Sequence, residues 1–118
     1  MKSYRELEVW QRSCDLVIEI YKLTATFPAN EQYGLISQMR RAVISIPSNI
    51  AEGFTRRTSA DNHNFVRIAF ASGAELETQI YLAEKLKLSK TEQFKTCKND
   101  LEVIMKMLNK LGQSLASN

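Results

Sequence analysis

Apolar residues in this chain recur at three- and four-residue steps almost from end to end, the spacing of helices that bury one face. The first periodic segment runs from about Leu7 to Thr26. Leu7, Trp10, Cys14, Val17, Ile18 and Tyr21 mark one side and Val9, Leu16, Ile20 and Leu23 the other, so this helix is apolar on two faces. Phe27-Pro28 stops it, because proline disfavours helical geometry in the residue before it. A second helix is predicted from about Glu31–Tyr33 to Gly53, with the stripe Leu35, Met39, Val43, Ile46 and Ile50. Pro47 lies inside it and lacks the N–H that would bond the carbonyl of Val43. The stripe keeps phase through Ile50, which predicts a kink rather than a break. Gly53 suits the left-handed residue that often closes a helix.

After a connection over Thr55–Thr58, Ser59 or Asp61 can cap a third helix that reaches about Lys87. Its apolar arc is wide: Phe65, Ile68, Ala69, Leu76, Ile80 and Ala83 form one stripe, and Val66, Phe70, Ala74 and Tyr81 a neighbouring one. Ser89-Lys90-Thr91-Glu92 matches a capping box at the head of a fourth helix. There Phe94, Cys97, Leu101, Ile104, Leu108, Leu111 and Leu115 make a seam like that of a coiled coil, leaving Val103 and Met107 outside. The terminal Ala116-Ser117-Asn118 is expected to fray.

Four helices with short connections bury their stripes most simply as an all-α, antiparallel up-and-down four-helix bundle, a single domain over residues 1–118. Helices 2 and 4 carry about the one stripe that such a bundle needs. Helices 1 and 3 carry more, and surplus apolar surface of this kind predicts a homo-oligomer formed through them; the alternative is a splayed bundle that buries both faces internally.

Composition adds bounds rather than chemistry. A length of 118 residues leaves no room for a second core, and four Gly with two Pro argue against a turn-rich barrel or sandwich. The net charge of +3 neither demands nor opposes nucleic acid. No apolar run approaches the length of a membrane span, and the charged start MKSYRELEVW lacks the apolar centre of a signal peptide, so a cytoplasmic location is expected. Cys14 and Cys97 are then read as two buried, reduced thiols.

No metal or cofactor is expected: His63 is the only histidine, and no Cys or His pair has zinc-ligand spacing. Nucleophile elbows and glycine-rich phosphate loops are absent as well. The informative polar set is on helix 2, where Arg41, Ser45, Ser48 and Glu52 share a face with Asn49 at its edge. Arg67 and Glu75 on helix 3 are read as projecting together. These seven residues suit a buried network that fixes assembly, a solvated face, or an active site. Basic residues fall in the pairs Arg40-Arg41 and Arg56-Arg57 and along Lys95, Lys106 and Lys110, all candidates for phosphate contacts. No helix-turn-helix, RNA-recognition or KH signature accompanies them.

The segments RELEVWQRSCDLV, YKLTATFPANEQYGLISQMRRAVISIPSNIAEGFTRR and FVRIAFASGAELETQIYLAEKL resemble the 23S rRNA intervening-sequence protein family over roughly residues 5 to 90. The block Gln38–Gly53 is the most specific, followed by Ser72–Glu77. The resemblance implies a four-helix bundle assembling as a homopentamer, related to accessory proteins that bind nucleic acid together with a reverse transcriptase in diversity-generating retroelements. It carries Arg40, Arg41, Asn49, Glu52, Gly53, Arg67 and Glu75 as motif positions. The chain departs from the family pattern at Phe70-Ala71-Ser72, where an Arg-Gly-Ser step is common.

The leading expectation is a non-enzymatic oligomer binding RNA or DNA through Arg40, Arg41, Arg56, Arg57, Lys95, Lys106 and Lys110. A second is a scaffold that docks a partner enzyme, with nucleic acid incidental. A third is a small hydrolase or nuclease built on Glu52, Glu75 and His63.

Overall fold

A computed structural model describes residues 2–117 and places four helices in them: α1 Glu8–Thr24, α2 Ser37–Phe54, α3 Ser59–Lys85 and α4 Thr91–Ala116. Each helix packs on its chain neighbours, and α1 closes the ring against α4. Neighbours run antiparallel: Leu7–Val9 at the head of α1 share a groove with Met107–Ser114 near the end of α4, and Glu19–Leu23 share one with Gln93–Cys97 near its start. The result is an up-and-down rod 45 Å long and 23 × 21 Å across.

On α1 the second of the two apolar sides faces the core. Val9, Leu16, Ile20 and Leu23 are buried, with Ser13 among them donating to the Val9 carbonyl at 2.6 Å. The other side stays partly wet, with Ile18 57% and Tyr21 37% exposed. Cys14 is only half-buried, which corrects the reading of two buried thiols; Cys97 is buried. The helix stops at Thr24, two residues early, where the Thr24 and Thr26 hydroxyls donate back to the carbonyls of Ile20 and Leu23.

The chain does not enter α2 directly from Glu31. One π-helical turn, Gln32–Ile36, comes first, and Gly34 leaves helical geometry at φ −108° and ψ −116°. From Ser37 the helix then runs unbroken through the buried Pro47. Met39, Val43, Ile46 and Ile50 are fully buried, as the stripe predicts. Gly53 lies within the helix and has no positive φ, so its role is not the left-handed cap expected of it. It is a contact point: a Cβ there would lie 2.8 Å from Asn62 Oδ1 and 3.0 Å from Phe65 Cβ. Close approach of α2 to the first turns of α3 requires a residue without a side chain.

Thr58, not Ser59 or Asp61, caps α3, its hydroxyl accepting from the Asp61 N–H at 3.1 Å. The core face of α3 is Val66, Ala69, Gly73, Leu76, Ile80 and Ala83, whereas Ile68 is 47% exposed. Gly73 makes the hole that receives Met105 of α4. The α4 seam holds from Phe94 to Leu108, with Met105 added. Its capping box does not form. Lys90 is the N-cap, and Ser89 Oγ lies against Thr26 Oγ1 at 2.5 Å and Gln93 Oε1 at 2.7 Å. Phe27 stacks near Phe94, ring centroids 6.1 Å apart, so the α1–α2 and α3–α4 connections close the same end of the rod. At the opposite terminus α4 stays helical to Ala116 with Ser117 as its cap, while Asn118 lies outside the described residues.

Candidate functional site

The polar positions of α2 meet α3 along one seam. Asn49 Nδ2 donates to the Ser45 carbonyl and to Ser45 Oγ, both at 2.8 Å, and Ser45 Oγ lies 2.9 Å from Ser72 Oγ across the helices. One level along, Gln38 and Arg41 of α2 face Glu75 and Gln79 of α3 across a cavity of about 320 Å³. Arg41 and Glu75 are both exposed, and among the described residues no ion pair joins them. Gln79 is buried, and its Oε1 has no hydrogen-bond partner; Asn62 Oδ1, beside Gly53, has none either.

The seven-residue constellation therefore divides. Ser45 and Asn49 are bonded and tie in Ser72, which spacing along a single helix could not reveal. Glu52 pairs with Arg56 at 2.7 Å, and Ser48 points to solvent. Arg67 does not join Glu75. It lines an apolar groove of about 520 Å³ between α3 and α4 with His63, Phe70, Leu108 and Gly112. Eight residues advance a helix by two turns plus about 80°, enough to carry the two side chains onto different sides.

The basic candidates are not gathered either. Arg40 is half-buried and holds the end of α1: its Nε donates to Thr24 Oγ1 at 2.9 Å, and its guanidinium lies 4.3 Å from the Tyr21 ring centroid. Arg56 lies 4.7 Å over Phe65 besides its bond to Glu52, and Lys106 pairs with Glu102 at 3.4 Å. Arg41, Arg57, Lys95 and Lys110 are exposed and enter no ion pair among the described residues. Arg41 is on α2, Arg57 in the α2–α3 connection, and Lys95 and Lys110 lie towards opposite ends of α4, so the four are spread along the rod.

Reactive chemistry is held down. Burial, with a smaller contribution from Glu19, pushes the Cys97 thiol up to about 12, and burial also raises Cys14. Asp100 is raised by burial and by Glu19. Among the described residues no group of three or more His, Cys, Asp or Glu could hold a metal ion, and no helix is long and apolar enough to cross a membrane.

The protein is thus of the all-helical class, an antiparallel four-helix bundle whose proline-containing α2 carries a serine–asparagine seam against α3. The sequence model of the 23S rRNA-intervening sequence protein family matches residues 5–110, and the chain belongs to that family. Among solved structures it is similar to a protein of unknown function from the S23 ribosomal protein family of Bacteroides thetaiotaomicron. The TM-score is 0.79 at 28% identity, covering 87% of this chain and 96% of that one. No curated protein matches.

Proposed function

We propose that the protein is a non-enzymatic homo-oligomer, acting in the cytoplasm, that binds RNA or other nucleic acid through exposed basic residues. One observation carries the reading: apolar side chains stand in water on two separate sides of the rod. Ile18, Tyr21 and Ile44 lie on α1 and α2, and Ile68, Phe70 and Leu82 on α3. Sister copies that cover these sides remove the cost of exposing them, and family membership favours five. Assembly also repeats Arg41, Arg57, Lys95 and Lys110 around one particle, strengthening a field that a single chain of net charge +3 carries weakly. Its non-enzymatic character is supported by thiols held protonated and by His63 standing apart from the Arg41–Glu75 cavity.

Light scattering of the purified protein, with and without RNA at low salt, tests both halves. The expected result is one oligomeric species whose mass rises with RNA and whose affinity falls steeply as salt is added. A 13.5 kDa particle in dilute native solution overturns the assembly. Salt-independent binding, or none, overturns the ligand.

A second reading is favoured by the engagement of Arg40, Arg56 and Lys106 within the chain. On this reading the bundle is a scaffold for a protein partner, such as a reverse transcriptase. Recovery of one stoichiometric partner after nuclease treatment supports it.

A further inference from the structure

We propose that the end of the rod formed by the α3–α4 connection is a binding surface for single-stranded nucleic acid, with lysines on phosphates and exposed tyrosines under unpaired bases. The inference rests on the nucleic-acid reading above and gives it a location that differs from the Arg40-Arg41 and Arg56-Arg57 pairs.

The charge comes from one short stretch. Lys85, Lys87, Lys90 and Lys95 are exposed, and none enters an ion pair among the described residues. Of the acids in and beside this stretch, Glu84 is occupied by Lys98 at 2.8 Å, and Glu92 is exposed, leaving one carboxylate among the four lysines. Arg12, Lys22, Arg56 and Lys106, by contrast, each pair with a carboxylate one helical turn away. Four ammonium groups without an ion-pair partner therefore fall within one short stretch at one end of the rod.

Lys87 is the sharpest member. It has φ 57°, the one positive φ among the described non-glycine residues. The Lys87 N–H bonds the Glu84 carbonyl at 3.0 Å and the Leu88 N–H bonds the Ala83 carbonyl at 3.1 Å. Those two bonds make a Schellman turn with Lys87 at the position where glycine is favoured. The turn buries the Leu88 side of the connection and aims the residue before it outward; Leu86 is 61% exposed. A lysine here costs stability and adds charge at the tip.

The aromatic component lies at the same end. Tyr33, on the π-helical turn of the α1–α2 connection, is 93% exposed, and the two connections touch through Thr26 and Ser89. Tyr81 is 57% exposed with Lys85 Nζ 5.5 Å from its ring centroid. Exposed rings at the same end of the rod as unpaired lysines suit bases that are not paired, since a duplex hides its π faces and a single strand presents them. The apolar surplus of α1–α3 is on the sides of the rod, so side-by-side assembly leaves this end free.

Fluorescence anisotropy of a labelled uridine RNA of about 12 nucleotides, titrated with the full-length oligomer across a salt series, tests the assignment. Lys85→Gln/Lys87→Gln/Lys90→Gln is expected to weaken binding at least tenfold at low salt and to flatten the salt slope by about 2, at about 0.7 per phosphate contact. Lys2→Gln/Arg12→Gln, towards the opposite end of the rod and outside the residues given a binding role, should stay within about twofold. Lys87→Gly separates binding from folding: it should raise the unfolding midpoint by a few degrees while weakening RNA binding. Tyr33→Ala should reduce affinity with the salt slope unchanged.

If the wild type binds this RNA but the triple variant binds equally well, the location is wrong and the nucleic-acid reading survives. If the wild type binds no RNA, both fall. Equal affinity for a duplex of the same length, or stronger capture by phosphatidylserine vesicles than by RNA, also overturns the single-strand assignment.

Discussion

α2 and α4 stand at opposite corners of the same bundle, and they are built on different principles. α4 is an uninterrupted seam in which Phe94, Cys97, Leu101, Ile104 and Leu108 are each at most 2% exposed. Its Gly112 has room around it: a Cβ there would meet only Val66 Cγ1 at 3.8 Å. α2 begins after a π-helical turn, contains a proline, bonds sideways through Ser45 and Asn49, and touches α3 at Gly53 with no space left. α4 is held by the amount of apolar surface it buries, α2 by where its small and polar residues fall. The seam helix tolerates any side chain of the right size; the other tolerates few.

Four substitutions can break or sharpen that contrast. The largest effect is expected in α4, where Leu101→Ala removes a fully packed side chain and should cost about 2–5 kcal/mol in urea unfolding. The matching change in α2, Ile46→Ala, should fall in the same range, because Ile46 is equally buried. The two helices differ next, in their glycines. Gly53→Ala should destabilise by about 1–3 kcal/mol, since Asn62 and Phe65 must shift to admit a methyl group. Gly112→Ala should stabilise by about 0.5–1 kcal/mol, the ordinary helix preference for alanine. Equal signs at the two positions would remove the distinction between the helices.

The same contrast governs what the chain pattern discloses. The α4 seam and the α2 stripe are legible because a helix that buries one face must repeat every three or four residues. The close contact at Gly53 is not legible in that way: glycine serves a left-handed cap and a tight crossing alike, and only the position of Phe65 decides between them. The capping box at Ser89 fails for a related reason. Its hydroxyl is engaged by Thr26 and Gln93, residues of two different helices' ends. Reading the basic residues by helix face also selects Arg40, which grips Thr24, and passes over Lys85, Lys87 and Lys90, which straddle a helix end and have no common face until the chain turns.

A smaller effect follows at the α2–α3 seam. Ser45→Ala removes one of the two acceptors of Asn49 Nδ2 and the partner of Ser72, and should cost about 1 kcal/mol. Asn49 keeps its bond to the Ser45 carbonyl, so the change loosens the seam without unfolding it. A loss much larger than this would mean that the hydroxyl is fully enclosed in the assembled particle.

The smallest effect lies beside α4's seam, at Asp100, where the sign depends on pH. Burial and the neighbouring Glu19 raise the carboxyl of Asp100 above its ordinary value of 3.8, so the folded state binds its proton more tightly than the unfolded chain does. A raised folded-state value means that stability from this group is fully present below about pH 3.8 and is lost as pH rises through the folded-state value. At neutral pH the charged form is therefore a small liability, offset in part by Arg12. Asp100→Asn should raise the thermal midpoint slightly at pH 7, and the gain should shrink towards zero in acid. A gain that is the same at both ends of the pH range would trace to the side chain's shape and not to its charge. Because Asp100 is only half-buried, solvent screening keeps the effect below every other one in the series.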